Sequence, residues 1–195
     1  MNLKSIVYAN RSYRRFDEAY KIDLATLTSL VDLARMSAFS GNVQSLRFML
    51  AVDEPTNAAI FETLGWAKHF ADWFGPGPGE RPTGYIVILN RPADFADAWV
   101  DAGIAAQSIL LGTVEAGLGG CMFRNVARTK LQKALNISGE YEILMVLAIG
   151  KPVEVVQVDT LEPDGDFRYW RDTDGVHHVP KRKLEDLIIR GQINE

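Results

Sequence analysis

The feature that most restricts the fold is a helical segment predicted from about Ala93 to Ala116, whose second half is apolar or small on nearly every side. Ala102, Ile104, Ala105, Ala106, Ile109, Leu110, Leu111 and Val114 leave no polar stripe to face water. Such a helix belongs at the centre of a molecule or in a subunit interface, and its small residues let other backbone come close. Gly117 ends it, as a glycine just past a helix does. The rest of the chain has to cover it.

Three short apolar runs supply a sheet for that purpose: Arg47–Val52, Tyr85–Leu89 and Glu142–Ile149, the last closed by Gly150-Lys151-Pro152. Helices are predicted between them. One opens the chain over residues 3–9, and another runs from an Asp23 N-cap to about Met36. Thr56–Leu64 follows Pro55, and Arg128–Leu135 precedes the last strand. Strands and helices alternate without a Gly-x-Gly-x-x-Gly turn, which argues against a dinucleotide-binding Rossmann domain. The Gly75-Pro76-Gly77-Pro78-Gly79 loop is too short to separate domains, so residues 1–195 read as a single domain.

Composition narrows the partners. A net charge of -4 gives no global field for nucleic acid or an acidic membrane, so any basic site is local. The one cysteine, Cys121, excludes an internal disulfide framework, fits a reducing compartment and reads as a small buried residue. No His/Cys/Asp cluster has ligand spacing, so no metal is expected, and His69 alone makes neither a ligand nor a base. Without a leader-like N-terminus or an apolar stretch of ~18 residues, the chain reads as cytoplasmic.

Against that background the local cations stand out. Arg11-Ser12-Tyr13-Arg14-Arg15-Phe16 gathers guanidinium groups that match phosphate geometry two donors at a time. Ser40-Gly41-Asn42-Val43-Gln44-Ser45 carries amides able to read the edge of a heterocycle. The pair suits a phosphorylated heterocyclic cofactor. Glycines in Gly117-Leu118-Gly119-Gly120 allow either close approach to a flat ligand or an ordinary helix-to-strand turn. Near the C-terminus, Pro180 suits the first turn of a helix carrying Leu184, Leu187 and Ile188. Lys181, Arg182 and Lys183 would then oppose the helix dipole unless an anion bound there.

Taken in order, Arg11-Ser12-x-Arg14-x-Phe16, Ser40-Gly41-Asn42-x-Gln44, Gly117-Leu118-Gly119, Gly150-Lys151-Pro152 and Lys181-Arg182 resemble the FMN-dependent nitroreductase family over nearly the whole chain. The resemblance implies an α+β fold with a central, mainly antiparallel sheet flanked by helices. It also implies a homodimer with FMN at the subunit interface. By position, Arg11, Ser12 and Arg14 would contact the phosphate and the ring, with Lys181 and Arg182 completing the phosphate site. Ser40, Gly41, Asn42 and Gln44 would reach the flavin of the partner subunit. Met122, Phe123, Arg124 and Asn125 would line the ring, and Trp66 and Phe70 the substrate face. Asn10, Ala38-Phe39 and Ser45-Leu46 depart from the usual pattern.

The activity implied is electron transfer from NADH or NADPH to a nitroaromatic or quinone by a ping-pong sequence. No side chain is expected as nucleophile or obligatory base, since the flavin carries the chemistry. The alternative is a dimeric FMN carrier or sensor without turnover.

Overall fold

The computed structural model describes residues 1–70 and 72–191, which divide into two compact units. The first holds residues 1–67 and 73–153; the second holds residues 68–72 and those from Glu154 onward.

The first unit is built on the three predicted strands. These are β2 (Leu46–Ala51), β3 (Gly84–Asn90) and β5 (Glu142–Pro152), and β3 is buried at every residue. It pairs antiparallel with β2 and β5, while β5 also pairs antiparallel with β4 (Gly119–Phe123) and β1 (Phe16–Asp17). Helices α2 (Leu24–Arg35) and α4 (Trp99–Glu115) join Ile86, Ile88, Leu144 and Leu147 in one apolar cluster. Helices α3 (Glu54–Phe61) and α5 (Arg128–Ala134) contribute Ile60 and Leu131 to a second cluster, with Val87, Phe123 and Val146. Residues at alternate positions of the same strands feed the two clusters, as a pleated strand requires. This is the α+β arrangement expected, a mainly antiparallel sheet flanked by helices.

Local chemistry sets the helix starts. Asp23 Oδ1 accepts the Thr26 N–H at 2.7 Å, and Asp53 Oδ1 accepts that of Thr56 at 3.0 Å. Asn2 does the same for α1 (Leu3–Ala9). Helix α4 is as buried as its composition demands, and Gly112 shows the close approach directly. A Cβ there would lie 2.4 Å from Leu33 Cδ1 on α2.

Several boundaries differ from those predicted. Helix α4 begins at Trp99, not near Ala93. Before it, buried Asn90 donates its amide to Phe95 O at 2.9 Å and to Glu142, beside a turn over residues 92–94 and irregular chain up to α4. Gly150-Lys151-Pro152 continues β5, because β1 and β4 pair with it there.

The second unit corrects a larger point. Lys181 and Arg182 do not open a helix; they end strand β8 (His177–Arg182). That strand pairs in parallel with β6 (Val156–Leu161) and antiparallel with β7 (Trp170–Arg171). Strand β7 reaches only His177 and His178, so Pro180 interrupts no second ladder. The predicted helix is a single 3-10 turn over Leu184–Leu187. The argument from a helix dipole at Lys181–Lys183 therefore falls.

The unit is fastened through His178. Its ring nitrogens lie 2.8 Å from Asp159 Oδ2 and 3.2 Å from Asp172 Oδ2, and Trp170 stacks on it at 4.0 Å. Burial works to lower the His178 pKa, but hydrogen bonds to both carboxylates and their charges outweigh it and hold the value above the ordinary 6.5. A hydrogen bond from Gln157, and then those of His178, hold Asp159 below the ordinary carboxylate value. Burial raises Asp172, but bonds from Val176, His178 and Asp174 prevail and lower it.

Among the described residues no helix is long and apolar enough to cross a membrane, and no group of His, Cys, Asp and Glu could hold a metal ion.

Candidate functional site

Helix α1 ends at Asn10, whose N–H bonds to Ile6 O at 2.9 Å. The chain beyond it runs beside β4: Ser12 bridges Gly120 in parallel, and the Tyr13 N–H donates to Gly120 O at 3.1 Å. Two motifs far apart in sequence, the arginine segment and the glycine-rich strand, are thereby joined.

The arginines have different duties. Arg15 makes a two-pronged bond to Glu80, with Nε 2.7 Å from Oε2, and so ties the entry of β1 to the loop before β3. Arg11 is braced by backbone carbonyls, Nε to Asn10 O at 2.6 Å and Nη2 to Val7 O at 3.1 Å. Arg14 Nη1 donates to Ser12 O at 3.3 Å, and the Ser12 side chain is exposed.

The glycines of β4 serve packing. A Cβ on Gly119 would lie 2.5 Å from the Tyr13 ring and 2.6 Å from Pro152; one on Gly120 would lie 2.7 Å from Ala148 O and from Leu110. Close approach is real here, but the approaching groups belong to the protein. Gly117, at φ 70°, makes the helix-to-strand turn.

Strand alternation then sorts the next residues. Met122 and Arg124 face outward, while Cys121 and Phe123 are buried. Phe123 meets Trp66 edge-on at 4.6 Å, and Trp66 also packs on Phe61 and Trp73. Phe123 and Trp66, expected at the ring and the substrate face, are both buried, at 4% and 8% exposure. The Arg124 guanidinium lies over Trp99, 4.6 Å from the ring centroid. The Asn125 side chain sits against Gly65, and the Asn125 backbone carbonyl accepts the Gly65 N–H at 2.9 Å.

The Ser40–Asn42 turn is held by a residue that sequence reading missed. Asp101, 1% exposed in the first turn of α4, accepts the Ser40 N–H at 2.9 Å and its hydroxyl at 2.8 Å through the same oxygen. A carboxylate at a helix start is favoured by the dipole. The visible signal was an acid at the head of a helix that is mainly apolar or small. Gly41, Asn42 and Gln44 all have positive φ, 53°, 53° and 56°, and all are exposed. For Gln44 that conformation costs about 1–2 kcal/mol, so the surroundings impose it. Gln44 Nε2 donates to Asn42 O at 3.3 Å.

Lys181 and Arg182 are exposed in the second unit, where they pair with Thr160 and Leu161 of β6. Phe70, in the same unit, packs edge-on against Tyr169 and His177 at 5.3 and 5.6 Å.

Comparison with known proteins gives a family and a fold. The model of the nitroreductase family matches residues 7–151. No curated protein matches the chain. A nitroreductase family protein from Streptococcus pneumoniae TIGR4 superposes with a TM-score of 0.69 at 14% identity, covering 98% of this chain and 100% of that one. A protein from Exiguobacterium sibiricum 255-15, solved in complex with FMN, gives 0.66 at 16% identity, over 79% and 90% of the two chains. An FMN-dependent nitroreductase from Clostridium difficile R20291 gives 0.65 at 19%, over 78% and 88%.

Proposed function

The chain belongs to the nitroreductase family, and on that premise we propose that it is an FMN-dependent oxidoreductase passing electrons from NADH or NADPH to an electron-poor acceptor such as a nitroaromatic or quinone. The observation that carries this reading is the arginine segment seated against β4, with Ser12 paired to Gly120, inside the matched region.

The donor set fits a phosphorylated ring. Arg11 is braced by carbonyls rather than by a carboxylate, so its charge is available to a phosphate. Arg15, spent on Glu80, is not. Arg11, Ser12 and Arg14 would hold FMN from this side, with Met122 and Arg124 facing outward along the adjoining strand. Lys181 and Arg182 are proposed as further phosphate ligands on their charge, and Phe70 as a substrate contact. Trp66 and Phe123 act from behind β4 by packing. When bound, FMN supplies the two-electron, ping-pong chemistry between nicotinamide and acceptor. The chain's own part is to bind, orient and place positive charge beside the ring, Arg14 first.

A homodimer belongs to the same proposal. The exposed, strained turn of Gly41, Asn42 and Gln44 would serve the flavin of the partner subunit, and exposed Leu24, Leu33 and Met36 along α2 offer apolar surface for the contact. Residues 1–195 are proposed as a single FMN-binding domain, and a cytoplasmic setting suits the buried Cys121, which is in no disulfide among the described residues.

Two measurements test this. The purified protein should show flavin absorbance bands, and a colourless protein that fails to take up FMN overturns the proposal. Anaerobic stopped-flow mixing with NADH or NADPH should bleach the flavin; one that stays oxidised makes the protein a flavin carrier instead.

A further inference from the structure

The first unit contains a cavity of about 160 Å³, lined by none of the residues assigned above. It lies between α3 and the start of β3, and polar atoms of three of its residues, Arg81 Nε, Asn57 Oδ1 and the Tyr85 hydroxyl, make no hydrogen bond among the described residues. The Arg81 guanidinium rests over Phe61, 4.5 Å from the ring centroid, without a carboxylate in ion-pair range among the described residues, and its Nε is buried with no hydrogen bond. Asn57 commits its Nδ2 to Thr83 O at 2.9 Å, which leaves Oδ1 buried without a donor. The Tyr85 hydroxyl makes no hydrogen bond to the described residues, and burial pushes its pKa upward, so it stays a donor. Glu18 does not neutralise Arg81: its Oε2 accepts the backbone N–H groups of Gly79 and Arg81. At the mouth, exposed Lys21 and Glu54 add one charge of each sign.

Buried polar groups are nearly always satisfied, so two buried atoms without a partner, Arg81 Nε and Asn57 Oδ1, in a cavity also lined by Tyr85 call for a ligand with matching groups. The lining thus offers two donors, one of them cationic, and one carbonyl acceptor. We propose that the cavity binds a small α-amino or α-hydroxy carboxylate. The carboxylate takes the Arg81 guanidinium and the Tyr85 hydroxyl, and the α-ammonium or α-hydroxyl donates to Asn57 Oδ1. Glu54 favours the ammonium. The volume falls below the ~300 Å³ at which sites for drug-sized ligands begin, which excludes a nucleotide.

The test is titration of the full chain, followed by thermal melting and calorimetry, with alanine, lactate, acetate and chloride as probes. Alanine and lactate should bind saturably, and acetate about tenfold more weakly for want of the α donor. Tyr85→Phe and Arg81→Lys should each weaken alanine about tenfold while leaving the flavin spectrum and nicotinamide oxidation unchanged. Glu54→Gln, at an exposed position that keeps the fold, should lower the preference for alanine over lactate. No saturable binding, a response to chloride or acetate equal to that of alanine (an adventitious ion only), full-strength binding by the Tyr85 and Arg81 variants, or an unchanged alanine preference in Glu54→Gln would each overturn the site.

Discussion

Individual residues in the arginine segment and the facing turn carry distinct jobs that identical side chains conceal. Arg15 and Arg14 are neighbours, yet one is spent on Glu80 and the other leans on a backbone carbonyl. Arg15→Ala should cost up to about 1 kcal/mol in stability, because the pair is partly solvated, and leave FMN affinity unchanged. Arg14→Ala should do the reverse, weakening FMN at least tenfold through one lost charge-assisted contact and lowering the flavin potential. Fluorescence titration and denaturant melts separate the two, and an Arg14→Ala protein with unaltered flavin occupancy and potential removes Arg14 from the role. Asp101 is the position where one atom controls a loop. Asp101→Ala strands the Ser40 N–H and hydroxyl, costing about 2 kcal/mol and lowering the melting temperature by roughly 4–8 °C.

Elements are held by close contacts that forbid small changes. Gly119→Ala would drive a methyl into Tyr13 and Pro152, and Gly112→Ala into Leu33 and Leu30. Each should destabilise by about 1–3 kcal/mol, measured by urea unfolding; Gly139→Ala, where a Cβ meets nothing, is the control. The sheet of β6, β7 and β8 should respond to pH through His178. Its raised pKa means that the pairing contributes in full below 6.5 and is lost as pH climbs through the folded value. Asp159 and Asp172, held below 3.8, contribute above that value and lose their contribution as pH falls through the folded values. Amide exchange in β8, corrected for its intrinsic pH dependence, should therefore be slowest between those limits. His178→Asn should abolish the alkaline side and weaken the acid side, because His178 also helps hold Asp159 and Asp172 low, and an unchanged profile in that variant would disprove the linkage.

At the scale of the whole molecule the prediction concerns assembly. If the Ser40–Gln44 turn serves the partner's flavin, FMN should be retained only by the dimer. Dilution through the dimer dissociation range, followed by light scattering and flavin fluorescence together, should release both at one concentration. A monomer that keeps its flavin would confine the site to one chain and reassign Gly41, Asn42 and Gln44.

Much of this was legible along the chain, because it depends on near neighbours. The helix cap at Asp23, the buried run of β3 and the burial of α4 follow from spacing and side-chain type alone. The arginine and Ser-Gly-Asn motifs, too, were recognisable as text. Pairing was not. That Ser12 lies beside Gly120, that Asp101 holds Ser40, and that Arg15 belongs to Glu80 each required distant segments to meet. The clearest failure was Lys181-Arg182: local signals, a proline before leucines at helical spacing, pointed to a helix. Those backbone groups are satisfied instead by β6, whose partnership no nearby residue announces. Local propensities are worth tenths of a kcal/mol per residue, and a strand ladder outweighs them, which is why only the tertiary structure could decide what that segment became.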